Sequence, residues 1–254
     1  MRAAWRLLVL VLLAGMALQL YFVGRIALMT VLDPESTAFQ RSEAWLVARS
    51  TGSLKWRQQW VPYASLPETL KRAVIASEDA SFIDHEGVDV EALEKAWEKN
   101  ARAEQRAAQS TQRLDAARPS GKAGVTPVAR PPKIVGGSTI TQQLAKNLFL
   151  SGERTLLRKG QELLLTLLLE RLLGKQRILE IYLNSVEWGE GVFGAEAAAQ
   201  HYYRKSAAKL STYEAARLAV MLPRPRYFET RPASGYLAAR ASTIAARMGG
   251  VELP

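Results

Sequence analysis

The sequence predicts a predominantly α-helical protein whose soluble part follows one N-terminal transmembrane helix. An apolar run near the N-terminus is long enough to cross a bilayer. Helix-spaced apolar positions and helix-capping signals recur from Leu66 onward. No run shows the clean alternation of a half-buried strand, and no repeat is evident at solenoid periods.

The N-terminal run is Leu7–Gly24, with Gln19 its most polar side chain, and Ile26–Leu32 continues it past Arg25. Arg2 and Arg6 precede the run, while Asp33 and Glu35 follow it. The positive-inside rule then keeps the N-terminus cytoplasmic and exports the rest. A cleaved signal peptide is the competing reading, but its apolar stretch would be shorter and followed by a small-x-small site. An uncleaved single-pass anchor over residues 1–32 is expected.

Residues 33–65 read as a polar connecting segment without a clear element. Beyond it, 66–254 is expected to form a single helical domain. Leu66-Pro67 opens a helix, Pro being tolerated in a first turn, and Leu70, Ala73, Val74 and Ser77 keep helical spacing. A second helix runs from Asp89 to about Ala117. Residues 118–133 break regular structure with Pro119, Gly121, Gly124, Pro127, Pro131 and Pro132, and carry Arg118, Lys122, Arg130 and Lys133 with no acid. Residues 101–133 thus read as a flexible insertion. Thr139–Leu150 reads as helix, and Arg154–Leu173 as a leucine-dense helix buried almost all round. Lys175–Glu187 reads as helix, followed by the turn Gly189–Gly194. Ser211 and Glu214 form a capping box for a helix that must end before Pro223, and Ser234–Met248 closes the pattern.

The formal net charge of +10 suggests an anionic partner: nucleic acid, anionic lipid or a phosphate-bearing substrate. Nucleic-acid motifs are missing, so no nucleic acid is expected. The absence of cysteine excludes disulfides and thiolate metal sites, and His-Glu-x-x-His spacing is missing too, so no protein metal site is expected.

Three segments could carry chemistry. Glu78 and Asp79, followed by Phe82, His85 and Gly87, lie where a helix runs out. Acids there oppose the helix dipole and repel each other, a cost that either marks function or is merely solvated. Gly136-Gly137-Ser138-Thr139 opens a helix whose free N–H groups favour an anion, with Gln143 and Lys146 one turn apart. An ordinary N-cap is the plainer account. Arg158, Lys159 and Glu162 share a helix face. A surface salt bridge would contribute under about 0.5 kcal/mol, but the surrounding leucines argue for partial burial and a phosphate site.

These segments together resemble the peptidoglycan glycosyltransferases, family 51, and within them the monofunctional biosynthetic transglycosylases. The blocks Glu78–Gly87, Gly136–Asn147, Arg158–Glu162, Lys175–Gly194 and Ala219–Tyr227 follow in the family's order. Between Asp89 and Gly136 the chain is longer than the compact form of the family. The resemblance implies a lysozyme-like helical domain with a smaller membrane-apposed lobe, in the inner membrane with a periplasmic catalytic domain. It implies polymerisation of lipid II, with the growing glycan strand as donor and undecaprenyl pyrophosphate released.

Residue by residue, the resemblance implies that Glu78 is the general base and Glu162 a second catalytic carboxylate. Asp79, Phe82 and His85 would support the base. Lys146, Arg158 and Lys159 would hold the phosphates, and Ser138, Thr139, Gln143 and Asn147 would contact the donor. No cofactor is required, although a divalent cation, Mg or Mn, could bridge the pyrophosphate. Other cell-wall synthesis or division proteins are conceivable partners. The rivals are a lytic transglycosylase, which would not need the phosphate cluster, and a membrane-anchored scaffold, which would not need both glutamates.

Overall fold

The computed structural model describes residues 1–116, 136–150 and 155–254, with side chains omitted for 111–116. The loop expected over 118–133 lies outside the described residues. Two compact units emerge: residues 1–88 with 139–254, and residues 89–138.

The first unit begins with α1 (Arg2–Leu28), which by length and composition could cross a membrane. Its first two-thirds is largely exposed, whereas Phe22, Ile26 and Met29 are buried. After α1 comes α2 (Ala38–Thr51), a helix the sequence reading did not place. Its capping box is complete: the Thr37 hydroxyl accepts from the Gln40 N–H, and the Gln40 side chain accepts from the Thr37 N–H. The buried Gln40 amide also donates to the Ser185 carbonyl at 3.0 Å.

Strand β1 (Arg57–Gln58) precedes α3 (Glu68–Glu78), and Pro67 is the N-cap of that helix rather than a residue within it. The second unit is built on α4 (Val90–Ala116), where Asp89 accepts from the Ala92 N–H at 2.7 Å. The chain returns to the first unit with α5 (Ile140–Phe149), α6 (Leu156–Leu172) and α7 (Lys175–Ser185). Then follow β2 (Glu187–Gly189), β3 (Val192–Phe193), α8 (Ala195–Tyr203), α9 (Thr212–Met221), α10 (Pro225–Glu229) and α11 (Gly235–Arg247).

Further expectations are corrected. Strands do occur: β3 pairs parallel with β1 and antiparallel with β2 in one small sheet. Glu187 therefore belongs to a strand and not to the preceding helix. Helix α6 is not buried all round. Leu165 and Leu169 are inside, but Leu156, Leu157, Leu163, Leu164 and Leu167 are exposed. Leucine density records an aversion to water, not the identity of the covering neighbour.

The core packs α3, α9 and α11 together, and α5 against α2, α6 and α7. Leu70, Val74, Leu144, Leu165, Leu169, Ile178, Leu218 and Ile244 are among its fully buried side chains. The C-terminal half of α1 lies on α6. Gln19 and Gln161 exchange reciprocal amide hydrogen bonds at 2.9 and 3.1 Å, and Phe22 meets Phe149 edge-on. Arg177 fixes the end of this region by donating to the carbonyls of Met29 and Leu32 while pairing with Asp33 at 2.8 Å.

Candidate active site

Glu78 is the last residue of α3, and Asp79 is its C-cap. The unfavourable position of Asp79 on its own helix is offset elsewhere. Its Oδ2 accepts the Ile140 N–H at 2.9 Å, at the positive N-terminus of α5. Its Oδ1 meets His85 Nε2 at 2.9 Å. The Gly87 N–H donates to His85 Nδ1 at 3.1 Å, so the proton of a neutral ring lies on Nε2 and points at Asp79.

The return from His85 to α5 is tightly built. Thr139 caps α5, accepting from the Gln142 N–H at 3.1 Å, and its hydroxyl donates to the Gly87 carbonyl at 2.7 Å. Gly87 has φ +87°, and an added Cβ would lie 2.7 Å from Thr166 Cγ2 and 2.8 Å from Glu170 Cγ. A side chain there is strained on both counts, by roughly 1–3 kcal/mol for the backbone alone. Gly87→Ala is therefore expected to lower the melting temperature by several degrees, checked by calorimetry. An unchanged melting profile would contradict the packing.

Glu78 is partly buried, yet it is hydrogen-bonded. Gln143 Nε2 donates to its Oε2 at 3.1 Å, and the buried Tyr182 hydroxyl donates to Gln143 Oε1 at 3.0 Å. Burial holds the Tyr182 proton well above the ordinary tyrosine range, so that hydroxyl remains a donor. The order Tyr182 to Gln143 to Glu78 therefore sets the amide orientation. Burial raises the proton affinity of Glu78 above the usual carboxylate value; hydrogen bonds from Gln143 and Ser77 oppose this, Asp79 adds to it, and Arg240 of α11 lowers it.

The third sequence segment forms one cluster on α6. Glu162 is almost fully buried and bonds both Arg158, at 2.7 Å, and Lys159. Arg158 is mostly buried and Lys159 half-exposed. Among the described residues no acceptor meets the buried Arg158 Nε. A buried guanidinium with an unused donor next to an already paired carboxylate can take an added oxyanion.

The structure thus brings Glu78, Asp79, His85, Thr139 and Gln143 together, and Arg158, Lys159 and Glu162 together, on helices whose packing joins α5 to α6. Phe82 is fully buried, beneath the Lys175 ammonium at 4.6 Å from the ring centre. Asn147 is buried on α5, whereas Lys146 is exposed. Ser138 ends the second unit. Sequence reasoning missed Tyr182, Arg240, Glu170 and Lys175. Lys175 pairs with Glu170 at 2.9 Å and donates to the His85 carbonyl at 2.6 Å, bracing the loop beside Asp79. Their signal was faint: Glu170 interrupts a leucine run, and Lys175 starts a matched block. Among the described residues, no group of three or more His, Cys, Asp or Glu side chains is placed to hold a metal ion.

Residues 47–112 and 120–249 match the family model described as Transglycosylase. Over 241 residues the chain is 52% identical to a biosynthetic peptidoglycan transglycosylase of Burkholderia thailandensis, covering 95% of this chain and 84% of that protein. The Burkholderia pseudomallei protein of the same name is likewise 52% identical, with the same coverage. That of Burkholderia orbicola is 49% identical over 95% of this chain and 87% of its own.

Proposed function

Because this chain belongs to the transglycosylase family and is a peptidoglycan glycosyltransferase with a lysozyme-like helical domain, we propose that it polymerises lipid II into β-1,4-linked strands with Glu78 as the general base. The observation that carries this reading is the setting of Glu78, a partly buried carboxylate of raised proton affinity whose Oε2 is oriented by a fixed amide. A base must reach the proton it removes and hold it near working pH.

In this reading the acceptor's sugar 4-hydroxyl attacks the anomeric carbon of the donor strand. The new C–O bond forms as the bond to the pyrophosphate breaks, and the hydroxyl proton passes to Glu78. Attack opposite the α-linked pyrophosphate inverts the centre. Arg158, Lys159 and Lys146 would hold the departing phosphates, with Glu162 keeping the α6 cations in place. A Mg or Mn ion, if the pyrophosphate carries one, would be held mainly by phosphate oxygens. Helix α1 would anchor the protein in the inner membrane, N-terminus inside, with residues 66–254 acting in the periplasm.

The test is incubation of the purified full chain with labelled lipid II, with products sized on a gel, beside a parallel incubation with crosslinked sacculi. Polymer ladders and intact sacculi are expected. Soluble muropeptides without polymer would replace this reading with a lytic one.

A further inference from the structure

The apolar run of α1 makes one polar contact that the proposed reaction does not use. Gln19, the most polar side chain between Leu7 and Gly24, exchanges both amide hydrogen bonds with Gln161 of α6, at 2.9 and 3.1 Å. Among the described residues, the side-chain partner of each amide is the other. This inference rests on the reading of α1 as the bilayer span. Gln19 then lies five residues inside the end of the uncharged run at Gly24, about 8 Å at the helical rise. On a water-facing surface such a pair competes with water and fixes little. In hydrocarbon the alternative is an unpaired amide, which is costly.

A second tie sets the sense of α6. Arg177, in the first turn of α7, donates to the carbonyls of Met29 and Leu32. Gln19 and Met29 are about 15 Å apart along α1, and the stretch Glu162–Leu172 of α6 is about 16 Å long. That stretch must therefore run outward beside α1, and the start of α6 points toward the middle of the bilayer. Leu156 and Leu157 sit at that start, 92% and 88% exposed. Arg158 and Lys159 lie within one turn of Gln161.

We propose that Gln19 is a positioning residue for the phosphate-holding cluster. Its amide pair with Gln161 clasps α6 to the membrane span in a single register. The clasp sets the depth at which Arg158 and Lys159 meet the lipid-linked pyrophosphate. Leucine packing alone fixes this poorly, because a slide of one turn exchanges one apolar contact for another, whereas a buried amide pair is satisfied in one register only. Released from the clasp, the Arg158–Lys159–Glu162 cluster draws α6 toward the headgroups, where its charges are solvated.

The experiment uses the full chain in proteoliposomes. The sequence contains no cysteine, so Leu157→Cys takes a single fluorophore whose depth is read with quenchers at graded positions along the lipid acyl chains. Quenching at acyl depth is expected, moving toward the headgroups when Gln19→Leu is added. Without the label, Gln19→Leu and Gln161→Leu should each raise the KM for lipid II about fivefold with kcat within about twofold, and the double variant should match the singles. A headgroup-level label in the parent chain, a depth that Gln19→Leu leaves unchanged, an unchanged KM, or additive losses in the double variant would overturn the clasp. The two readings fail separately. A chain that polymerises lipid II with no shift in depth loses the clasp alone. A chain that shows the shift but makes no polymer keeps the clasp and loses the proposed reaction.

Discussion

Glu78→Gln is expected to reduce polymerisation by at least about a hundredfold, the lower range for loss of a positioned general base. The substitution keeps shape and removes the proton acceptor. Gln143 already presents its amide N–H to this position, and Tyr182 resists the flip that would offer oxygen instead. A Gln at 78 can still accept through its own carbonyl, so the melting temperature should stay within a few degrees of wild type. Turnover within a few-fold of wild type would remove Glu78 from the base role.

The same environment fixes the sign of a pH effect. Burial raises the folded-state proton affinity of Glu78. The base works when ionised, so kcat/KM should rise with pH through that raised value, placing the acid limb above the ordinary glutamate range. Arg240 lowers the proton affinity of Glu78; Arg240→Gln should therefore move the limb further up. The linkage to stability has the opposite sense. A raised folded-state value contributes stability below the unfolded value and loses it as pH rises through the folded one. The site should thus become more active and slightly less stable over the same interval, and a limb at the ordinary glutamate position would contradict the burial.

Arg158→Lys should lower kcat/KM for lipid II at least tenfold while the fold survives. Lysine keeps a charge for the buried Glu162 but loses the planar fork and the Nε donor that has no acceptor among the described residues. Arg158→Ala is a less clean test, because removing one partner of a buried pair can destabilise by about 3–5 kcal/mol. Wild-type kinetics in a folded Arg158→Lys protein would show that the cluster serves α6 alone. A matched loss in Glu162→Gln, with normal melting, would instead connect the carboxylate to substrate binding through the cations it holds.

Local order was legible wherever neighbours in sequence supply it. The Ser211–Glu214 capping box, the start of α5 at Thr139 and the stop before Pro223 all rest on contacts within four residues. Helix α2 escaped notice in a polar stretch because part of what fixes it is a buried hydrogen bond from Gln40 to Ser185, far along the chain. The strands escaped for a related reason. Arg57–Gln58 and Val192–Phe193 are too short to show alternation, and the pairing itself makes them strands.

Composition and spacing along the chain were enough for the helical class, the long apolar N-terminal helix, and the residue types at the candidate site with their spacing along each helix. Arg158, Lys159 and Glu162 had to share a face, because three and four residues make one helical turn. What each charge meets depends on packing between distant segments. Asp79 is satisfied by another helix's N-terminus, Glu78 by an amide held by Tyr182 from α7, and α6 turns half its leucines outward. Proton affinity and exposure depend on the surroundings within a few ångströms in space, and those surroundings come from segments that lie far apart in the chain.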